Sequence, residues 1–394
     1  FRRIFVVGAG KAGAPMALAI EAALGARIND GLVVVKTGHV AATQHVRLVE
    51  ASHPMPDNAG VEAGRQILGL AKSAGEDDLF ITVLSGGGSA LLVSPASGLS
   101  LTDLQRMTDT LLSCGATNDE INCLRKHCSA VKGGQLARAP APATVVTLAL
   151  SEVVGSPLDV IASGPTVADQ TTWEDAWAIV RRYDLAERLP ATVLARLRSG
   201  LEGKIADTPQ VGDPIFSRGQ VIVVADNRVA ALAACEKATA MGIHTMLLTT
   251  YLEGEASQVA KVAVALGLEL QAHHAPLYPP ACLVLGGETT VSLGSQPGKG
   301  GRNQELALAA ALELHNTEGI TIVSLATDGT DGPTDSAGGI ADGKTLGRGA
   351  AIGLDAEDHL RRHDAYPYLA ATNDLLLTGP TQTNVNDLVF VFVQ

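Results

Sequence analysis

The feature that most constrains this chain of 394 residues is a repeated alternation of short apolar runs with helix-length segments. Ile4 to Val7 and Leu32 to Val35 are apolar at every position and Leu79 to Leu84 at every position but Thr82, and two of the three run directly into glycine turns. A strand apolar at every position has both faces buried, and the intervening helices supply the cover. The first third of the chain is therefore expected to form a doubly wound α/β fold. Its helices are placed at about Lys11 to Leu24 and Ala59 to Lys72.

Residues 101 to 135 read as mostly helical, followed by a strand at Thr144 to Leu150 and helices around Trp173 to Tyr183 and Ala191 to Arg198. The stretch Gly200 to Gly219, with Pro209 and Pro214, is the best boundary, which places the domains at residues 1–212 and 213–394. The alternation then restarts. Strands are expected at Val221 to Val224, Thr245 to Leu248, Cys282 to Leu285, Thr290 to Leu293, Thr321 to Leu325 and Val389 to Val393. Helices are expected at about Arg228 to Met241, Ser257 to Gln271 and Gln304 to His315.

Composition narrows the function classes. With 46% hydrophobic and 18% charged residues the chain can bury a core without staples, which excludes a disordered protein. A net charge of -12 and only 3% aromatic residues argue against nucleic acid or an anionic membrane as partner. Neither number excludes a small anion held by a few local cations. The five cysteines are odd in number and contain no C-x-x-C pair, as expected of reduced thiols in a cytoplasmic protein. No apolar run reaches the ~18 residues of a membrane-spanning helix. The sequence opens at Phe1 without a Met, which leaves open whether a leader or a helix was trimmed.

The glycines gather at four turns that bear on chemistry. Gly8-Ala9-Gly10-Lys11-Ala12-Gly13 has G-x-G-x-x-G spacing between a strand and a helix, so Gly8 and Gly10 are candidates for approach to a nucleotide phosphate. The same glycines also suit plain strand–helix packing. A nicotinamide dinucleotide site wants an acid at the end of the second strand, where this chain has Lys36, a point charge suited to phosphate. At the second turn, Ser85, Gly86, Gly87, Gly88 and Ser89 offer backbone donors and hydroxyls for an anion cradle. At the third, Lys299, Gly300, Gly301, Arg302 and Asn303 open a helix without Walker A spacing, yet combine cations with a helix N-terminus. At the fourth, Asp328 and Asp331 are candidates for Mg²⁺ or for ordinary turn chemistry. His359 and His363 read as a solvated pair, and Ser89, Ser151 and Ser163 have no assignable His and Asp partners.

These motifs, together with Ser52-His53-Pro54-Met55-Pro56-Asp57, Asp159 to Thr166 and Gly287-Glu288-Thr289, occur in an order that closely resembles the class II glycerate kinases. That family carries a C-terminal MOFRL domain, expected here at about 281–394, and its members are often labelled hydroxypyruvate reductases. The resemblance covers nearly the whole chain. It implies two three-layer α/β/α domains, the first Rossmann-like, with the active site in the interdomain cleft. It also implies an ATP- and Mg²⁺-dependent kinase that phosphorylates the 2-hydroxyl of D-glycerate, with Lys36 and Arg302 as catalytic residues. The candidate cofactor-binding residues are Gly8, Gly10, Ser85 to Ser89 and Asn303. Asp159, Glu288, Asp328 and Asp331 are the candidate Mg²⁺ ligands. An NAD(P)H-dependent hydroxypyruvate reductase is the alternative, and a homodimer is left open.

Overall fold

Every residue of Ile4–Ala9 (β1) is buried, because alternate side chains enter two different cores. In this computed structural model, which describes residues 1–294 and 296–394, β1 lies inside a six-stranded sheet. Its companions are Asp30–Lys36 (β2), Arg47–Ala51 (β3), Leu79–Leu84 (β4), Thr144–Leu150 (β5) and Gly219–Ala225 (β6). One face packs Val6, Val33, Val35, Ile81 and Val83 under Ala14, Ala17 and Ile20 of the helix Gly13–Leu24. The other packs Phe5, Val7, Leu32, Val34 and Phe80 under Ala63, Ile67 and Ala71 of the helix Asn58–Ser73. Each large buried side chain contributes about 1.5–3 kcal/mol, so burial on both faces fixes the three-layer arrangement.

The strand order is β3-β2-β1-β4-β5-β6, with parallel pairing from β3 through β5. The chain changes direction across the sheet between β1 and β4. Open α/β sheets bind ligands at the carboxyl ends of the strands at this switch point. The turns after β1 and β4, which hold Gly10 and Ser85, meet there: the Lys11 amide donates to the Gly86 carbonyl at 2.7 Å.

The second sheet contains His244–Leu252 (β7), Ala281–Gly287 (β8), Ile320–Ala326 (β9), Gly338–Asp342 (β10), Leu375–Leu376 (β11) and Asp387–Val393 (β12). Its order is β11-β10-β9-β12-β8-β7. Only β7 and β8 run parallel among the described residues, since β12 inserts antiparallel between β8 and β9. One face packs Leu283, Leu285, Ile322, Val389 and Val391 against the helices Ala256–His273 and Arg302–Glu313. Ala231 of the helix Asn227–Ala240 covers Cys282, Val284 and Leu388 on the other.

Four details differ from the sequence reading. β3 was not anticipated, because its exposed Arg47 and Glu50 break the apolar run. β10 and β11 escaped because one is glycine-led and the other only two residues long. The run Thr290 to Leu293 forms no strand; Thr290 makes a single bridge to Glu255. The run at Val221 to Val224 lies in β6 and completes the first sheet, so the chain divides at Val224/Ala225 rather than at 212/213. The two compact units are Phe1–Ser151 with Ser156–Val224, and Glu152–Gly155 with Ala225–Gln394.

A smaller helical core in the first unit holds a buried charge. The His127 ring lies tilted against Trp173 with centroids 4.6 Å apart, its Nδ1 donates to the Cys123 carbonyl at 2.8 Å, and its Nε2 meets Asp207 at 3.0 Å. Burial opposes the imidazolium, but Asp207 and the Cys123 carbonyl outweigh it and hold the proton up to about pH 10. An unfolded chain releases that proton near pH 6.5. The raised value therefore stabilises the fold fully below pH 6.5, and this contribution is lost as pH rises to about 10. The urea midpoint is expected to fall across that window in the native protein. His127→Gln is expected to cost about 3 kcal/mol at pH 6 and to flatten the dependence.

Candidate active site

In the first unit the candidate residues converge on the loop after β4. Gly87 has φ +79°, in the left-handed region, and a Cβ there would lie 3.0 Å from Cδ2 of His53 and 3.6 Å from Cγ of Lys11. Glycine is required for both reasons. Lys36 is the last residue of β2, half-buried and without an ion pair among the described residues. The His39 ring nitrogen Nδ1 lies 3.1 Å from the Lys11 carbonyl. Burial lowers the His53 pKa to about 4, and the charges of Lys11, Lys36 and His39 push it the same way. At neutral pH His53 is therefore an uncharged ring inside a cluster of cations. His53 and Lys11 thus flank Gly87, with Lys36 near enough for its charge to act on His53, and a site of this sign attracts phosphate or carboxylate.

The loop's own groups divide into occupied and open ones. Ser85 Oγ accepts the Ala12 amide at 3.0 Å, so this hydroxyl closes the start of the helix Gly13–Leu24. The Gly88 amide returns to the Ser85 carbonyl at 3.1 Å. Ser89 Oγ lies 2.9 Å from Ser163 Oγ, and Ser163 in turn donates to Asn122 Oδ1 at 3.0 Å. This chain of hydroxyls contains no histidine, so it is not a hydrolytic triad. Below it, buried Lys132 donates to the Ser89 carbonyl at 2.7 Å and the Leu92 carbonyl at 3.2 Å. Burial, and then the charge of Arg125, lower the Lys132 pKa to about 7.

Gly8 and Gly10 serve packing. A Cβ would lie 1.9 Å from the Val83 carbonyl oxygen at Gly8 and 2.0 Å from Ser85 Oγ at Gly10. The amides of Gly10, Lys11, Ala12 and Gly13 all bond within the protein, to Val34, Gly86, Ser85 and Gly10. This turn therefore has no run of open donors of the kind that cradles a pyrophosphate. Asp159 accepts from buried Lys126 at 3.4 Å, and the same ammonium meets Asp169 at 3.1 Å.

In the second unit, Arg302 begins the helix Arg302–Glu313 and is held by two carboxylates. Its Nε and Nη2 donate to Asp387 at 2.5 and 3.1 Å, and its Nη1 donates to Glu288 at 2.6 Å. Burial alone would weaken the guanidinium charge, but Asp387 and Glu288 raise its pKa further above the ordinary value. Burial pushes Asp387 up to about 6 despite the opposing arginine. Three of the five N–H donors of a guanidinium are thus occupied, and one remains on each Nη.

The helix N-terminus beside Arg302 is already filled. Asp331 accepts from the Asn303 and Gln304 amides at 3.1 and 2.9 Å and from Asn303 Nδ2 at 3.2 Å. A carboxylate at this position balances the helix dipole, so Asp331 is a cap whose oxygens are occupied, and not a free metal ligand. Asn303 is buried, and its Oδ1 accepts from Ser324 at 2.6 Å, so it supports Asp331 rather than facing a ligand. Lys299 turns to the face of Tyr366, 3.6 Å from the ring centroid. Asp328 accepts from the Thr330 amide and hydroxyl in a local turn. His359 and His363 are not a solvated pair: His359 Nδ1 lies 3.0 Å from the Asp364 carbonyl and His363 Nδ1 lies 2.9 Å from Glu305. Among the described residues no three His, Cys, Asp or Glu form a group that could hold a metal ion.

Sequence reasoning missed Asp387, Lys132, Asn122, His53 and Lys11 as members of these groups. Asp387 carried a usable signal, an acid leading directly into an apolar strand. Lys11 and His53 lie inside motifs the sequence analysis singled out, whereas Lys132 and Asn122 had no signal until the fold placed them.

A Rossmann-ordered sheet with a cationic glycine loop at its switch point defines an α/β protein built to hold small anions. A family model described as a domain of unknown function (DUF4147) matches residues 1–198, and one described as the MOFRL family matches residues 281–387. A protein of Pyrococcus horikoshii named glycerate 2-kinase is 41% identical over 391 residues, covering 99% of this chain and 87% of that protein. A protein of Agrobacterium vitis that bears a hydroxypyruvate reductase name is 42% identical over 392 residues, covering 99% of this chain and 87% of that protein. The crystal structure of glycerate kinase from Thermotoga maritima superposes with a TM-score of 0.91 at 39% identity, covering 100% of this chain and 92% of that one. The chain belongs to the class II glycerate kinase family, whose two parts these models describe.

Proposed function

We propose that this protein is an ATP-dependent D-glycerate 2-kinase. The observation that carries the reading is the cationic loop at the first sheet's switch point, with Lys36 unpaired beside it, in a chain whose relatives bear glycerate kinase names. In the reaction, the bond from the 2-hydroxyl oxygen to the γ-phosphorus forms as the bond to the β,γ-bridging oxygen breaks. ADP leaves and the hydroxyl proton is lost. Phosphoryl transfer needs positioning and charge stabilisation more than covalent chemistry from the protein. Lys36 and Arg302 are the proposed catalytic cations, Lys36 as a point charge and Arg302 through its two remaining N–H groups. The 85–89 loop supplies amides and the Ser89 hydroxyl to an anionic group of a substrate.

Mg²⁺ belongs to the proposal as part of the nucleotide substrate. Phosphate oxygens hold most of its coordination, so one or two carboxylates suffice. With Asp331 occupied as a cap, Asp159, Glu288 and Asp328 are the remaining candidates. A reducing, cytoplasmic setting suits the five cysteines, all of them free thiols. No helix among the described residues is long and apolar enough to cross a membrane.

The reductase reading lacks support in the site. β2 ends in Lys36 where a nicotinamide ribose needs an acid, and the turn after β1 has its amides occupied. The test supplies D-glycerate and MgATP with enolase but no phosphoglycerate mutase. Formation of phosphoenolpyruvate is expected, because enolase accepts the 2-phosphate directly. A signal only after mutase addition would place the phosphate on the 3-hydroxyl. Oxidation of NADH by hydroxypyruvate without ADP release from glycerate would establish the reductase instead.

A further inference from the structure

Three polar side chains of the helix Asn118–His127, Asn122, Arg125 and Lys126, are partnered unequally. Asn122 accepts from Ser163 Oγ, which is itself bonded to Ser89 Oγ. Lys126 is fully neutralised by Asp169 and Asp159. Arg125 lies three residues after Asn122 and so neighbours it on the helix surface. It is partly buried, yet it makes no hydrogen bond or ion pair among the described residues. Burial acts against its charge.

The second cation of this group sharpens the imbalance. Lys132 is buried beside the same loop, its ammonium fixed on the Ser89 and Leu92 carbonyls. It is close enough to Arg125 for the two charges to repel. Two cations without a carboxylate partner among the described residues, one of them fixed on the Ser89 carbonyl, form an electrostatic arrangement that an anion completes. A guanidinium matches a carboxylate through two parallel N–H donors, whereas an ammonium acts as a point charge.

We infer that Arg125 binds the carboxylate of the hydroxy-acid substrate, with the Ser89 and Ser163 hydroxyls beside it. This inference rests on the glycerate kinase reading and names the side chain that selects an acid over a neutral polyol. A purely structural role is the competing explanation, since Arg125 lies in the last turn of its helix and opposes the negative end of the dipole. The two explanations differ in what they move. Carboxylate binding changes KM for the acid; a dipole contact changes stability.

Steady-state kinetics of Arg125→Gln decide between them. KM for D-glycerate is expected to rise about 10- to 100-fold, the usual effect of losing a charged hydrogen-bonding partner. KM for ATP and the melting temperature stay within error, and Arg125→Lys falls between the native protein and Arg125→Gln. The preference for D-glycerate over glycerol, which lacks the carboxylate, shrinks by the same factor. A rise in KM for ATP instead would assign Arg125 to a phosphate and overturn the inference, as would unchanged KM values for both substrates. Should the native protein release no ADP with D-glycerate, the kinase reading fails by itself. Calorimetric binding of D-glycerate to native protein and to Arg125→Gln then decides the present point: loss of binding in the variant sustains it, and equal binding overturns it.

Discussion

Arg302→Ala is expected to lower kcat by about 10³-fold or more while changing KM for ATP far less. The reason lies in how the guanidinium is held. Asp387 occupies Nε and one hydrogen of Nη2, and Glu288 occupies one hydrogen of Nη1. The side chain is thereby fixed in one plane, with its two remaining N–H groups available to charge that develops during transfer. An arginine fixed in advance needs no reorganisation at the moment of reaction, which is what makes such a group effective. Arg302→Lys is expected to recover little, because an ammonium cannot span Asp387 and Glu288 and still present two directed donors. The substitution also leaves Asp387 buried without its cation. Its carboxyl, already at about pKa 6, will bind a proton more readily. Arg302→Ala is therefore expected to gain stability relative to native protein as pH falls towards 6 and to gain no more below it, where the carboxyl is protonated in both, read as melting temperature. Native-like turnover in Arg302→Ala would remove the assignment, and an unchanged pH profile would remove the account of Asp387.

Lys36→Met, which keeps the length of the side chain and deletes its charge, is expected to lower kcat/KM by about 10²- to 10³-fold. The charge stands at the carboxyl end of β2, in the cluster with Lys11, His39 and His53. A second readout does not depend on activity. Lys36 is one of the cations that hold the His53 pKa near 4, after burial. Removing it is expected to raise the His53 titration midpoint in a proton NMR titration. His53→Gln supplies the resonance assignment. If kcat/KM stays within twofold of native protein, Lys36 is not catalytic. If His53 does not move, the lysine does not face the glycine loop.

Much of the first unit was legible because burial leaves a direct trace in composition. Val33 and Val34 are both apolar since each enters a different core, and no other parallel arrangement explains the whole run. The second unit was less legible. Whether an apolar run pairs parallel or antiparallel does not show in its residues, so the insertion of β12 between β8 and β9 could not be read. The segment Thr290 to Leu293 has the composition of a strand but no neighbour to pair with beyond Glu255.

The same division runs through the site. The sequence alone determined that glycine turns stand at the ends of β1 and β4, and that Lys36 ends β2, because these facts follow from local order along the chain. The resemblance to the family added Lys36 and Arg302 as expected catalytic residues. Only the tertiary structure decided which groups remain available to a ligand. Ser85 is occupied by the Ala12 amide, 73 residues away in sequence, and Arg302 is fixed by Asp387, 85 residues away. Asp331, expected at a metal, is bound by the helix start that was itself expected at a phosphate. Arg125 is conspicuous for the opposite reason, since Asp159 and Asp169 go to Lys126 and Asp207 goes to His127 on the same helix. A donor reaches a ligand only through the hydrogens that folding leaves unpaired, and pairing across such distances is set by packing rather than by the neighbours in the chain.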